Sequence, residues 1–198
     1  MFTGIIQDIA TITLIKRYEN FFQWTLELHN INVQTLCLGS SLSCNGCCLT
    51  IKKIEKKNTI SLDIIQETLR ITSLRSFHVG ENINIEKSMK LGEEIGGHLV
   101  SGHVITTATI FKIIASSYNK ELWMILHDCE IMKYIFCKGF ICVDGISLTV
   151  GNIVNNTFCV FLIPETILRT TIGHKNIGDI VNLEVDYFSK IIVDRISN

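Results

Sequence analysis

The chain repeats its own sequence at an interval of 98 or 99 residues. The segment Asn45-Gly46-Cys47-Cys48-Leu49-Thr50 matches Asp144-Gly145-Ile146-Ser147-Leu148-Thr149. Three further matches keep the same order: Thr3-Gly4-Ile5 with Ser101-Gly102-His103, Glu67-Thr68 with Glu165-Thr166, and Val79-Gly80-Glu81 with Ile177-Gly178-Asp179. A solenoid needs at least three units to bury its faces. Two copies therefore predict two self-contained domains.

The repeats divide the 198 residues into domains at 1–97 and 98–186, with the pair Gly96-Gly97 at the junction. Within "GFICVDGISLTVGNIVNNTFCVFLI", Asp-Gly, Gly-Asn and Asn-Asn turns separate runs of strand residues, and "ENINIEK" alternates apolar with polar residues. Short helices are predicted at 130–136 and after Glu67-Thr68. Closely spaced short strands predict an all-β fold, a closed barrel or a sandwich in each copy.

The segment 187–198 differs from both repeats. Phe188, Ile191, Ile192 and Ile196 fall on one face of a predicted helix. So short a helix is marginal in water unless that face is buried. It either packs on its own barrels or bundles with copies from other subunits, and we favour the second arrangement.

Composition excludes several classes of function. The net charge of −1 provides no field to attract nucleic acid or an anionic membrane, and no apolar run is long enough to span a bilayer. The N-terminus meets Asp8 early and lacks a basic region, which argues against a signal peptide and for a cytoplasmic protein. The eight cysteines lie in apolar stretches, as free thiols do in a reducing compartment. The pair Cys44-x-x-Cys47 has no second ligand pair, so we expect no metal.

Candidate catalytic residues stand out where the repeats differ. Cys48 and Ser147 occupy one repeat position, and both side chains can act as nucleophiles; a hydroxyl in an apolar strand costs about 1–3 kcal/mol if it is unpaired. His98 and His103 flank the start of the second copy, and His103 is the stronger candidate because it replaces the apolar Ile5. Asp186 precedes the predicted helix, where it is also suited to be the N-cap.

The motifs "MFTGII", "NGCCLT", "ETLRIT", "GEEIGGHLVSGHV", "VDGISLTV" and "LIPETILRTT" together resemble the riboflavin synthase family. The resemblance covers essentially the whole chain. It implies two tandem six-stranded Greek-key barrels of the lumazine-binding type and a C-terminal helix that assembles a homotrimer. The implied reaction is the dismutation of two 6,7-dimethyl-8-ribityllumazine molecules per site into riboflavin and 5-amino-6-ribitylaminouracil. No cofactor is implied, and lumazine synthase is a candidate partner.

The family's site carries over residue by residue. Ser147, Cys48, His103 and Asp186 are the expected catalytic residues, and the division of acid, base and nucleophile roles among them stays open. The implied substrate-binding residues are Phe2, Gly4, Ile5, Ile6, Ser41, Cys48, Leu49, Thr50, Asp63, Ile64, Ile65, Gln66, Glu67 and Thr68 in the first copy, and Gly102, His103, Val104, Lys138, Ser147, Leu148, Thr149, Phe161, Leu162, Ile163, Pro164, Glu165 and Thr166 in the second. Phe161 is bulkier than the family pattern leads us to expect.

Two alternatives belong to other classes. A non-catalytic relative that holds one fluorescent lumazine as an optical antenna would not need the polar residues of the second copy. A purely structural tandem barrel would need neither set of matched loops. Formation of riboflavin from the lumazine distinguishes all three.

Overall fold

The computed structural model describes residues 1–55, 58–116 and 118–196, and in these ranges the chain forms two closed antiparallel β-barrels of six strands each. This confirms the predicted all-β fold class. The first barrel contains β1 (Asp8–Arg17), β2 (Phe21–Glu27), β3 (Ser41–Cys44), β4 (Cys47–Ile54), β5 (Thr59–Ile65) and β6 (Asn82–Lys87). The second contains β7 (Thr106–Ala115), β8 (Lys120–Leu126), β9 (Phe140–Val143), β10 (Ile146–Val154), β11 (Thr157–Leu162) and β12 (Ile180–Val185).

Both barrels have one topology. Around the first barrel the strands run β1-β2-β5-β4-β3-β6, and each strand of the second barrel takes the place of the strand six numbers earlier. Side chains alternate across the wall, as on β4, where Leu49 and Ile51 are buried inside while Thr50 and Lys52 are exposed outside. Each barrel has its own apolar core.

Two-residue hairpins join β3 to β4 and β9 to β10. Asn45 and Asp144 have φ values of 43° and 46°, and Gly46 and Gly145 both have 82°, as a type I′ turn requires. The predicted turn at Gly151-Asn152 is wrong, because these residues lie inside β10 at a register shift between Val150 and Ile153. A Cβ on Gly151 would lie 2.6 Å from Cε2 of Phe161, so glycine allows this aromatic ring to approach the bulged strand.

The described residues also form three α-helices and four 3-10 helices; the α-helices are α1 (Gln66–Ile71), α2 (Pro164–Arg169) and α3 (Tyr187–Ile196). The helix predicted at 130–136 is instead a 3-10 helix over Cys129–Tyr134. Asp186 caps α3, since its Oδ2 accepts hydrogen bonds from the Ser189 N–H at 2.8 Å and the Ser189 hydroxyl at 2.7 Å. None of the described helices is long and apolar enough to cross a lipid bilayer.

Most of the apolar face of α3 is exposed in the described part of the chain. Phe188, Ile192 and Ile196 are 57%, 57% and 80% exposed. Val193 packs on the second core, and the Tyr134 hydroxyl donates to Asp194 Oδ1 at 2.5 Å. The helix is thus anchored along one side, and its apolar side is left open.

The barrels meet around a local twofold axis at the two hairpins. A Cβ on Gly46 would lie 2.9 Å from the Gly145 nitrogen, and a Cβ on Gly145 would lie 2.8 Å from the Gly46 nitrogen. The amide nitrogen of Asn84 donates to the Asp144 carbonyl at 2.9 Å, and that of Asn182 donates to the Asn45 carbonyl at 2.9 Å. These buried bonds cross between the barrels in both directions and fix their relative orientation.

The axis also carries a difference between the repeats. Asp144 is fully buried with Lys175 Nζ at 3.8 Å, whereas the equivalent positions of the first repeat hold the uncharged Asn45 and Phe77. Burial raises the pKa of Asp144 to about 6, although Lys175 acts in the opposite direction.

Candidate functional site

The short segment that precedes each barrel packs against the opposite barrel; residues 3–6 and 101–104 are called the lent segments. The Ser147 N–H in the second barrel donates to the carbonyl of Gly4 at 2.8 Å, and the Cys48 N–H in the first barrel donates to the carbonyl of Gly102 at 2.8 Å. Residues 4–6 precede the first barrel, and residues 102–104 precede the second. The candidate positions Cys48 and Ser147 are therefore each paired with a segment of the opposite repeat.

Apolar packing reinforces this exchange. Val104 is 7% exposed and belongs to the core of the first barrel, whereas Ile6 packs against the core of the second. The two lent segments are joined near their starts by paired hydrogen bonds between Phe2 and Val100, at 2.7 and 3.0 Å. Phe2 and Val100 form a small buried cluster with Cys142, against which Cys48 packs.

A cleft of about 430 Å³ opens on the outer wall of the first barrel. Its lining residues are Cys48, Leu49, Thr50, Lys52, Asp63, Ile65 and Thr68. All of these except Lys52 are among the residues predicted for the site. Lys52 Nζ lies 2.8 Å from Asp63 Oδ2, and Gln23 donates to Asp63 Oδ1 at 3.1 Å. Lys52 follows Thr50 by two residues, so strand alternation alone could have placed it on this wall.

In the second barrel a histidine side chain contacts the candidate nucleophile, Ser147. Nδ1 of His98 lies 2.6 Å from Oγ of Ser147. The His98 ring is also stacked on Phe140, with ring centroids 5.0 Å apart and an interplanar angle of 12°. His98 is only 6% exposed, and its backbone N–H donates to the Thr3 carbonyl at 3.1 Å. The Ser147 hydroxyl is thereby held in a fixed position relative to the ring.

The charge state of His98 is set by its surroundings. Burial lowers the pKa of His98 below its usual value, because the charged imidazolium is poorly solvated there. The negative charge of Asp186 opposes this shift and raises the pKa of His98. Neutral His98 is thus favoured at neutral pH, and the neutral ring can accept or donate at the serine hydroxyl according to its tautomer.

His103, the histidine favoured from the sequence, occupies a different environment. Its side chain is exposed and lines a cleft of about 620 Å³ that Glu184, Tyr187 and Lys190 also line. The repeat comparison could not favour His98, since a shift of 98 places the equivalent of His98 before residue 1. The first repeat therefore has no residue to compare with His98, although His98 is the histidine that contacts Ser147.

The other predicted residues fall into corresponding places of the two repeats. Ser41 begins β3, and Lys138 lies in the loop before β9 with φ of 67°. Ile5 is exposed beside Gly4. The strand positions are Cys48, Leu49 and Thr50 on β4, Asp63, Ile64 and Ile65 on β5, Ser147, Leu148 and Thr149 on β10, and Phe161 and Leu162 on β11. The helix positions are Gln66, Glu67 and Thr68 on α1 and Pro164, Glu165 and Thr166 on α2, with Ile163 just before α2.

The corresponding outer walls of the two barrels differ in chemical character. Where the first has the Lys52–Asp63 ion pair, the second has Phe161 packed against Gly151. The first carries the thiol of Cys48, and the second carries the Ser147 hydroxyl with its histidine. Two similar frames with different reactive groups suit a protein that holds two like molecules in unlike roles.

Comparison with known proteins gives consistent results at the level of sequence. A family model described as the lumazine binding domain matches residues 3–88 and 101–186. A riboflavin synthase of Buchnera aphidicola subsp. Baizongia pistaciae is 53% identical over 196 residues, covering 99% of this chain and 92% of the relative. A riboflavin synthase of Escherichia coli strain K12 is 46% identical, also over 99% of this chain and 92% of the relative.

Solved structures with the same fold are more distant in sequence. LumP complexed with riboflavin superposes with a TM-score of 0.86 at 21% identity, covering 94% of this chain and 100% of that chain. LumP complexed with 6,7-dimethyl-8-(1'-D-ribityl) lumazine gives a TM-score of 0.84 at 21% identity, covering 94% and 99%. These likenesses support the two-barrel fold.

Proposed function

Because the chain belongs to the riboflavin synthase family, we propose that it converts two molecules of 6,7-dimethyl-8-ribityllumazine into riboflavin and 5-amino-6-ribitylaminouracil. One molecule donates a four-carbon unit to the other. The observation that carries this proposal is the equivalent placement of Cys48 and Ser147 in the two barrels, each paired with a segment of the opposite repeat. Thr50 and Thr68 line the cleft of the first barrel, and their hydroxyl groups suit the polar ring of the lumazine.

Positioning supplies a large share of the catalysis. Holding two reactants in register converts a bimolecular step into an effectively unimolecular one, worth up to about 7–11 kcal/mol of the barrier. The donor loses a proton from its C7 methyl group, and the acceptor gains a nucleophile at its own C7. Ser147, His98, Cys48, His103 and Asp186 are the candidate groups for the proton transfers and the addition.

Exposed apolar surface beside both candidate positions and on α3 supports a homotrimer as the working form. The equivalent residues Ile65 and Ile163 are 60% and 61% exposed, and the apolar side of α3 is also open. Head-to-tail contacts around a threefold axis can place the first barrel of one subunit against the second barrel of the next. We propose that each active site forms there, with α3 holding the subunits together. Association with lumazine synthase and a cytoplasmic location complete the proposal, and the eight free thiols agree with a reducing compartment.

The function is tested by incubating purified protein with the lumazine and following riboflavin absorbance. Replacing Ser147 by Ala should slow riboflavin formation by at least about tenfold, because it removes a group held for proton transfer or addition. Thermal unfolding should change little, because Ser147 is only half-buried. Ser61→Ala, which removes a buried hydroxyl from β5 outside the cleft, is the matched control and should keep its activity. No riboflavin from the unaltered protein, with lumazine bound, would favour the antenna function.

The pH dependence of turnover tests the role of His98. If catalysis needs the neutral ring, the rate should fall as the pH drops through the pKa of His98. Asp186→Asn keeps an oxygen to cap α3 but removes the charge that raises this pKa, so the acid limb should move to lower pH. The measurement is kcat against pH for both proteins. A limb that stays in place or moves to higher pH would contradict the assignment.

Mixing inactive variants tests the shared site. A Cys48 variant and a Ser147/Asp186 double variant are refolded together, and riboflavin formation is assayed. In random trimers up to roughly a quarter of sites combine two undamaged barrels, so activity should recover to that extent. If each site lay within one chain, every site would keep one lesion, and the mixture would show no more activity than its parts.

A further inference from the structure

Two buried carboxylates hold the lent segments. Glu86 on β6 and Glu184 on β12 are equivalent in the two repeats, and they are 1% and 6% exposed. Glu86 Oε1 accepts hydrogen bonds from the Thr3 N–H at 2.7 Å and the Thr3 hydroxyl at 2.8 Å, and its Oε2 accepts from the Gly4 N–H at 3.0 Å. A buried carboxylate with three donors binds its partners tightly.

Glu184 repeats this arrangement on the other segment. Its Oε1 accepts from the Ser101 N–H at 2.6 Å and the Ser101 hydroxyl at 2.8 Å, and its Oε2 accepts from the Gly102 N–H at 2.9 Å. Burial raises the pKa of Glu86 and of Glu184, and the N–H and hydroxyl donors oppose that shift. Every contact is a hydrogen bond from an N–H or O–H donor, which is the pattern that an ionised carboxylate accepts.

The effect of each carboxylate passes to the opposite barrel. Gly4, held by Glu86 of the first barrel, accepts from the Ser147 N–H of the second. Thr3, also held by Glu86, accepts from the His98 N–H. In the mirror arrangement, Gly102 is held by Glu184 of the second barrel and accepts from the Cys48 N–H of the first.

We propose that Glu86 and Glu184 are crossed positioning residues for the reaction: Glu86 sets the geometry of the Ser147–His98 pair in the second barrel, and Glu184 sets that of Cys48 in the first. Neither carboxylate needs to touch substrate to do this. Each acts through the backbone of the segment that its own barrel lends. The assignment rests on the proposed function, but its test does not require a measurement of enzymatic turnover.

The experiment compares Glu86→Gln with Glu184→Gln in the full chain. Glutamine keeps the volume and one acceptor oxygen but turns an NH₂ group toward a donor N–H, which loosens the segment. Two readouts are taken from each variant. One is the rate of Cys48 alkylation by iodoacetamide, mapped by peptide mass, with exposed Cys37, Cys129 and Cys137 as internal references. The other is the titration of the His98 ring followed by NMR.

The expected pattern is crossed. Glu184→Gln should change the alkylation rate of half-buried Cys48 by about fivefold or more and leave the His98 titration in place. Glu86→Gln should shift the His98 titration and leave the Cys48 rate within about twofold of the unaltered protein. Equal effects of both variants, no effect, or an effect of each carboxylate on its own barrel would overturn the proposal.

Milder variants keep the test usable if either glutamine variant fails to fold. Thr3→Val removes the hydroxyl donor of Glu86 and keeps the backbone donors, and Ser101→Ala does the same for Glu184. Thr3→Val should shift only the His98 titration, and Ser101→Ala should change only Cys48 alkylation. The same effect on both probes from either variant would contradict crossed positioning. Absence of riboflavin formation by the unaltered protein, with the crossed pattern intact in the variants, would count against the proposed function alone.

Discussion

Replacing Gly4 by Ala is expected to reduce riboflavin formation by at least about a hundredfold, the scale of effect when a reacting group moves by about 1 Å. Gly4 has φ of +76°, and a Cβ there would lie 2.6 Å from Cβ of Ser147 and 2.7 Å from the Ser147 nitrogen. The colliding atoms are the backbone nitrogen and the Cβ of a strand residue, so they cannot move aside as the end of a flexible side chain could. The lent segment must therefore withdraw from the second barrel and leave the Ser147 N–H without its acceptor.

Gly39→Ala is the control for this substitution. Gly39 has nearly the same φ, +80°, but a Cβ there would meet nothing within 4 Å. Both variants carry the strain of a left-handed alanine, about 1–2 kcal/mol. Only Gly4→Ala adds the collision, so the difference in kcat between the two variants measures the contact with Ser147. Equal activities would show that the segment does not set the geometry of the second-barrel site.

A fragment of residues 1–97 is expected to fold and bind the lumazine or riboflavin, yet form no riboflavin. It contains all six strands of the first barrel and lacks both His98 and Ser147. It also lacks Gly102, which accepts a hydrogen bond from the Cys48 N–H in the full chain, and Val104, which packs in the core of the first barrel. Residues Thr3–Ile6 of a second copy are the repeat equivalents of 101–104 and can take their place. Ligand binding should thus rise with fragment concentration and accompany dimer formation.

The measurements are equilibrium dialysis and sedimentation over a range of concentrations, with circular dichroism to verify folding. Fragment 1–105 is the matched comparison, because it carries Gly102 and Val104 in its own chain and should bind with less dependence on concentration. Folded 1–97 that binds no ligand at any concentration would contradict two equivalent pockets. Turnover by 1–97 would contradict the assignment of chemistry to the second barrel.

The sequence predicted much of the fold because the determinants are local. Asn-Gly and Asp-Gly predict hairpins because these residues readily adopt positive φ, and the alternation of apolar and polar residues along "ENINIEK" predicts β6. Asp186 was identified as a helix cap from its position alone. Gly151-Asn152 misled the prediction, since glycine there serves the packing of Phe161, a contact between strands that local turn rules do not describe.

The candidate site was predicted as a set of residues but not as an arrangement. Repeat comparison identified Cys48 and Ser147 as equivalent positions, yet it did not predict that Gly4 pairs with Ser147 and Gly102 with Cys48. Those pairs depend on how two barrels dock, which is settled by long-range contacts such as Gly46 against Gly145. Lys52 was missed because its role depends on the ion pair with Asp63 on the neighbouring strand. His98 was ranked below His103 because it has no equivalent in the first repeat.

The local twofold axis has a consequence for how such a chain could arise and diversify. Two unlinked copies of a single repeat, docked through the Gly46 hairpin, would form an isologous dimer in which every substitution appears twice. Fusion into one polypeptide removes that constraint. Asn45 and Phe77 of the first half can then differ from the equivalent Asp144 and Lys175 of the second half. In the same way, the first half can carry the Cys48 thiol where the second carries the Ser147 hydroxyl. Broken symmetry of this kind is what allows two chemically identical molecules to be assigned opposite fates.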